Sequence, residues 1–543
     1  MNGGQAVAEV LRREGVELVF CFPSNPLIDS LAEVGIKPIV GREERSVINM
    51  ADAYSRSRNG RQIGVCLVQG GPGAEHAFGG IAQAYADSVP LLFLPGGSAR
   101  DRLGLRTNFD AVEAYRPISK WSARFETAAS VPEQLRRGFA KLRSGRPGPV
   151  VLEMPRDVQT EQFSDDLFDY VAPESTRSAA DPEAVARAIE LLLGAKRPVI
   201  HVGQGVLWAE ATDQLVEFAE LIDAPVATTY TAKSAFPERH PLSIGAGGAG
   251  VSPGIQAFVP GADLIFSIGS SLSKTLGSFT IPAGKKMIQC TNDPDDLAME
   301  YPLACALVGD ARLVLTQLRD ELHHQGVRSS RSSGVRGEIA QMREQALTTW
   351  SDKLGSTSVP INPLRVVAEL MSALDPEETI ITHDSGYPRD HLAAWYVSGG
   401  PRSYLGWGNS TPLGSSLGLA LGAKLACPDK VVVNLMGDAA FGQSGLDLET
   451  GVRHGIAICC VVINNSEMGN YEKMQPVAQE LFNIKHLSGS YADVATALGA
   501  TAFRVEDPDD LGAMLEKALA EVRAGRTVLV EIITQADPSI IRL

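Results

Sequence analysis

Short apolar runs rich in β-branched residues alternate with amphipathic helical patterns along most of the chain, an alternation that predicts parallel sheets covered by helices. From Ala6 to about Pro155 the order is VELVFCF, the amphipathic LIDSLAEV, KPIVG, SVINMADAYSRSRN, QIGVCLVQ, a Gly-Pro-Gly turn, AEHAFGGIAQAYADS, PLLFLPG and GPVVLEMP. The pattern lapses over 165–182, where Ser, Asp and Pro gather and a linker is expected. A second segment opens with ADPEAVARAIELLLGAKRPVIHVGQG and continues to about Leu322, and the polar run HHQGVRSSRSSGVRG after it reads as a second linker. From about Pro360 the alternation resumes in ETIITHDSG, GLALGAKLA, KVVVNLMGD, AICCVVINN and TVLVEIIT. The expected fold is α/β, with three doubly wound parallel-sheet domains at 1–165, 182–325 and 355–543. The first and third segments share a weak likeness of pattern.

Composition narrows the class. A chain of 543 residues exceeds one core, and 44% apolar with 21% charged residues is ordinary for a globular protein. No run approaches the ~20 apolar residues of a membrane helix, so no membrane is expected. The net charge of -15 would repel a phosphate backbone, which makes nucleic acid an unsuitable partner. Seven cysteines without a CxxC pair read as reduced core residues. The start MNGGQAVAEVLRREGVELVF lacks the basic and apolar blocks of a secretion signal, and a cytoplasmic location follows as the expectation.

The sharpest chemical signal is KVVVNLMGDAAFGQSGLDLETGVRHGIAICCVVINNSEMGN. One buried strand is expected to end at Met436, with Gly437 making a tight turn, Asp438 at the strand's carboxyl end and a helix starting after Ala439. A second strand is expected to end at Asn464 and Asn465. In a parallel sheet both ends share one edge, where ligands bind. An acidic oxygen, an amide oxygen and a main-chain carbonyl suit a hard cation such as Mg²⁺, and the helix adds N–H donors for phosphate. Alone, either dipeptide is an ordinary turn. Their separation of 27 positions, with a helix and an apolar strand between, is what one βαβ crossover requires.

These residues resemble the thiamine-diphosphate enzyme family that includes acetolactate synthase, benzoylformate decarboxylase and pyruvate decarboxylase, whose signature is GDG, about 27 residues, then NN. The resemblance covers nearly the whole chain. It implies thiamine diphosphate with Mg²⁺ held by Asp438, Asn465 and the main-chain carbonyl of Glu467, and diphosphate contacts from Gly437, Ala439 and Ala440. Ala439 stands where the family has Gly, a methyl group that costs little if its φ is negative but would crowd a diphosphate approaching the backbone closely. In GREERSVINMADAYSRSRNG the family's Glu-to-Tyr spacing of ten selects Glu44, with Tyr54, over Glu43 as the carboxyl that activates the cofactor through the pyrimidine nitrogen N1′. Without the resemblance, the pair reads as a solvated helix start.

Further segments follow the family pattern. LGWGNSTPLGSSLGLALGAKLA implies Leu413 as the apolar wedge under the thiazolium and the Thr411 carbonyl at the aminopyrimidine, while THDSGYP nominates Ser385, Gly386 and Tyr387 for the diphosphate. QGGPGAEHAFGG offers Gln69 and His76 as catalytic candidates, although a lone His on such a helix is more often structural. FPSNPLIDSL places Ser24 and Asn25 near the substrate. RTNFDAVEAYRPISKW carries Arg106, Thr107 and Asn108 where acetolactate synthases have Phe-Gln-Glu, and HPLSIGAGGAGVSPG lacks their flavin loop, which weighs against FAD. The implied activity is a 2-oxo acid decarboxylase or carboligase. A lyase acting on a 2-hydroxyacyl-CoA or acyloin is the alternative, which a basic, nucleotide-sized cleft between the second and third domains would favour. A non-catalytic cofactor-binding relative is a further one. A dinucleotide oxidoreductase would need GxGxxG with a following acidic residue, which VGQG does not supply. Because the carboxylate and the metal motif lie in different domains, the resemblance implies a homodimer or homotetramer.

Overall fold

The computed structural model describes residues 1–327, 334–406, 408–469 and 473–543, so part of the second polar run lies outside the described residues. Three six-stranded sheets account for the strands, and every strand pairing within them is parallel. The first contains β1 (Leu18–Cys21), β2 (Lys37–Val40), β3 (Gly64–Val68), β4 (Leu91–Gly97), β5 (Trp121–Arg124) and β6 (Val150–Pro155), in the order β2-β1-β3-β4-β6-β5. The second contains β7 (Pro198–Val202), β8 (Val226–Thr229), β9 (Ser243–Gly247), β10 (Leu264–Ile268), β11 (Lys286–Thr291) and β12 (Cys305–Val308), in the order β12-β11-β10-β7-β8-β9. The third contains β13 (Thr379–His383), β14 (Tyr404–Leu405), β15 (Val431–Gly437), β16 (Cys459–Asn464), β17 (Thr501–Val505) and β18 (Val528–Ile533), in the order β14-β13-β15-β16-β18-β17.

The first and third sheets follow the same strand order position by position, so their weak likeness of pattern extends to topology. The middle sheet has the order of dinucleotide-binding folds, with its switch point between β7 and β10. There the glycines of VGQG serve packing. A Cβ on Gly203 would lie 2.3 Å from the Gly269 carbonyl oxygen, and one on Gly205 2.7 Å from the Gly269 Cα. The central strands are buried on both faces, which explains their continuous apolar runs.

The chain forms two compact units. One contains Met1–Thr176, Gly414–Asp429 and Ser444–Ile458; the other contains Arg177–Leu413, Lys430–Gln443 and Cys459–Leu543. In the first unit the helix Ser415–Ala426 packs on the helix Glu44–Ser57 at backbone distance. Gly418 and Gly422 make this possible, because a Cβ on Gly418 would lie 2.8 Å from the Ser46 carbonyl oxygen and one on Gly422 2.0 Å from that of Met50. Among the described residues, no helix is long and apolar enough to cross a membrane.

Gly422→Ala should therefore destabilise the protein by about 1–3 kcal/mol, the range for forcing a methyl group into packed structure. Gly194→Ala meets no neighbour within 4 Å and should be neutral or slightly stabilising. Thermal denaturation of the two variants beside the parent checks the contrast.

Candidate active site

In the first unit, Glu43 and Glu44 stand at the start of one helix but do different work. Glu43 is the N-cap, with φ -145° and ψ 139°, and its carboxylate accepts the Ser46 N–H at 3.2 Å and the Ser46 hydroxyl at 3.0 Å. Glu44 is the first helical residue, and its side chain is only 10% exposed. Its Oε2 lies 3.3 Å from His76 Nδ1, near the start of the helix Pro72–Ala86. Its Oε1 lies 3.4 Å from where a Cβ on Gly73 would be, so Gly73 keeps the space beside that oxygen clear. Ala51 and Tyr54 are buried on the same helix, and the Tyr54 ring meets Phe20 edge-on at 5.8 Å.

The turn before this helix is held by a residue that sequence reading missed. Asp447, fully buried, accepts the Arg42 N–H at 2.8 Å and the Thr450 hydroxyl at 2.9 Å. Burial pushes the carboxyls of both Glu43 and Asp447 above the usual range, and each is partly restrained by the hydrogen bonds it accepts. The only sequence signal was an Asp before LETG, which reads as a helix cap.

The loops after β1 and β3 complete this half. Asn25 is buried, and its amide donates to the carbonyls of Val68 at 2.9 Å and Leu94 at 3.1 Å, while its Oδ1 accepts the Leu27 N–H at 3.0 Å. Its side chain thus ties the loop after β1 to β3 and β4. Ser24 beside it and Gln69 after β3 are exposed, as is His76.

In the second unit, β13, β15 and β16 pair in register, so their carboxyl ends share one edge. Asp438 sits there, 3% exposed. Two details differ from expectation: Gly437 is the last residue of β15 without a left-handed φ, and the helix starts at Asp438 itself, over Asp438–Ser444. Strand passes directly into helix, so no glycine turn is needed. Ala439 consequently has no positive φ and carries its methyl group without backbone strain. Asp438 Oδ1 accepts the Ala439 N–H at 2.8 Å, whereas Oδ2 is buried without a hydrogen-bond partner. Burial raises the pKa of this carboxyl against the opposing pull of the nearby Ala439, Ser466 and Glu467 amides.

Facing Asp438 is the loop after β16. Asn465 Oδ1 accepts the Glu467 N–H at 3.1 Å, and Glu467 forms an antiparallel bridge with His486. The flanking bonds, Leu487 N–H to the Ser466 carbonyl and Met468 N–H to that of Lys485, leave the Glu467 carbonyl outside the ladder. Lys485 Nζ pairs with the Glu467 carboxylate at 3.0 Å. On the neighbouring strand end, Ser385 donates its N–H to Asp384 at 2.8 Å, Gly386 caps the helix Tyr387–Trp395 with φ 81°, and the Tyr387 ring stacks on His391. Nothing lies within 4 Å of a Cβ built on Gly386, Gly437 or Gly442. Thr411 and Leu413 are half-buried in the loop after β14. The unit therefore assembles Asp438, Asn465, Glu467 and Ser385–Tyr387 at one sheet edge, and the first unit assembles Glu44, Gln69, His76, Ser24 and Asn25.

Three parallel sheets, the first and third of one strand order and the second of dinucleotide-binding order, define a class of α/β coenzyme proteins. The chain belongs to the thiamine pyrophosphate enzyme family: the N-terminal TPP binding domain matches residues 1–114, the central domain 185–318 and the C-terminal TPP binding domain 384–532. It is 28% identical to a probable acetolactate synthase large subunit of Methanococcus aeolicus, over 96% of this chain and 90% of that one. It is 30% identical to glyoxylate carboligase of Escherichia coli O157:H7, over 98% and 93%. The crystal structure of benzoylformate decarboxylase from Polynucleobacter necessarius shares the fold, with a TM-score of 0.83 and 24% identity over the full length of both chains.

Asn25→Ala would leave the Leu27 N–H unanswered and remove the bonds that tie its loop to β3 and β4. A loss of about 1–3 kcal/mol is expected from unmaking such buried bonds, read as a lower urea midpoint.

Proposed function

We propose that the chain is a thiamine-diphosphate- and Mg²⁺-dependent enzyme that makes or breaks a carbon–carbon bond beside a carbonyl group, acting as a 2-oxo acid decarboxylase or carboligase. The observation that carries this reading is the Asp438 carboxylate, buried with one oxygen unanswered beside an amide oxygen and a main-chain carbonyl free of its ladder. Such an anionic, all-oxygen set fits Mg²⁺. Curated relatives named acetolactate synthase and glyoxylate carboligase support the substrate class.

Asp438, Asn465 and the Glu467 carbonyl would hold the cation. Ser385, Gly386, Tyr387, Gly437, Ala439 and Ala440 would take the diphosphate, where the open glycine positions let oxygens approach the backbone. Glu44 and the Thr411 carbonyl would take the aminopyrimidine end, and Leu413 would be the apolar wedge under the thiazolium. When bound, the coenzyme supplies the nucleophilic carbon and the electron sink. Glu44 would hydrogen-bond a ring nitrogen of the coenzyme through its buried carboxyl, while the His76 imidazole braces Oε2. Gln69 and Ser24 face the substrate from exposed loops, and Asn25 fixes the loop that carries Ser24. The half-sites of a homodimer or homotetramer complete one another, in domains at 1–165, 182–325 and 355–543 and in the cytoplasm. FAD forms no part of this reading. The lyase alternative lacks a supporting observation, since Lys233 and Arg389, in the second and third of these domains, are buried and ion-paired with Glu238 and Asp390.

Glu44→Gln should reduce turnover by roughly 10²- to 10⁴-fold, the usual contribution of a placed acid or base, while calorimetric coenzyme binding stays near the parent value. Unchanged turnover at full occupancy would remove Glu44 from the mechanism. A screen of 2-oxo acids and acyloins for CO₂ or aldehyde release names the substrate. Dialysis against EDTA should abolish activity and lower the melting temperature, with Mg²⁺ plus thiamine diphosphate restoring both.

A further inference from the structure

Glu531 interrupts the apolar strand β18 and is 0% exposed. A carboxylate in such a place is costly unless its oxygens are answered, so its partners show what it is for. Oε1 accepts the Asn464 side-chain amide at 2.7 Å. Oε2 accepts the Ala492 N–H at 3.0 Å, and Arg504 Nη1 lies 3.5 Å from the same oxygen. The register β16–β18 sets Glu531 opposite Val462, two residues before Asn464.

Asn464 passes the constraint on. Its Oδ1 accepts the Ser466 N–H at 3.0 Å and the Ser466 hydroxyl at 3.3 Å. Ser466 has φ 55°, a left-handed conformation that a serine keeps only when its surroundings impose it. This residue lies between Asn465 and Glu467, and the turn it makes sets where their oxygens point. The first Asn of the pair thus acts on the loop from behind while the second faces Asp438.

We infer that Glu531 is a positioning residue for the cation loop: it fixes Asn464, which holds Ser466 in the left-handed turn that presents Asn465 and Glu467. The inference rests on the proposed role of that loop and deepens it. Glu531 touches neither cation nor coenzyme, and acts only through Asn464.

Glu531→Gln keeps the shape but offers one acceptor to two converging donors, the Asn464 amide and the Ala492 N–H. Calorimetric Mg²⁺ affinity in the presence of thiamine diphosphate should fall about 10- to 100-fold, as for other supports of metal ligands, with the far-UV circular dichroism of a folded protein retained. Combining Asn464→Asp with Glu531→Gln restores each bond, since the new amide at 531 donates to the new carboxylate at 464 and still accepts from Ala492. That double variant should regain most of the affinity, and it reads the same coupling if the single variant fails to fold. Affinity of the folded single variant within about twofold of the parent, or a folded double variant as weak as the 10- to 100-fold loss, overturns the inference. A parent protein that binds neither Mg²⁺ nor thiamine diphosphate removes the underlying functional reading, and this inference with it.

Discussion

Taking a carboxylate out of water removes the solvation that stabilises its charge, and the third sheet does this repeatedly at one edge. Glu531 is buried with both oxygens answered, and it behaves as structure. Asp438 is buried with one oxygen answered and the other orphaned, which is structure left unfinished. That asymmetry is the ground for proposing Asp438, and not Glu531, as the carboxylate that takes a ligand. The parallel register of β13, β15 and β16 creates it, because their carboxyl ends stop together and a helix starts directly at Asp438.

The first unit handles its buried carboxylate differently. Of two adjacent glutamates, the N-cap geometry commits Glu43 to Ser46 and leaves Glu44 beside His76 and the gap kept by Gly73. Precision there depends on backbone-close packing, since Gly418 and Gly422 let a second helix lie against the Glu44 helix and Asp447 pins the preceding turn. Helices at such distances cannot shift without meeting backbone atoms.

Much of this was legible in the chain. The long buried strands, the α/β alternation and the separation of Asp438 from Asn465 all follow from apolar runs and from the length one crossover needs. In the first and third segments, the strands that no quoted run announced were β5, β14 and β17, each at the end of its sheet. Their residues are short in number or half-exposed, as in WSAR, YL and TAFRV, because an edge strand packs against one neighbour and carries polar side chains. The glycines of VGQG, which do not make a dinucleotide motif, close the approach between the ends of β7 and β10.

The sequence by itself determined the fold class, the family resemblance and the two places where chemistry gathers, since these depend on local periodicity and on spacing along the chain. Only the tertiary structure decided what each polar side chain does. Asn25 spends its amide on the carbonyls of Val68 and Leu94, Asp447 reaches back to Arg42, and Glu531 meets Asn464 across two neighbouring strands. Those partners are 43 to 405 positions apart, and no local pattern encodes a hydrogen bond that exists only once sheets and helices have packed.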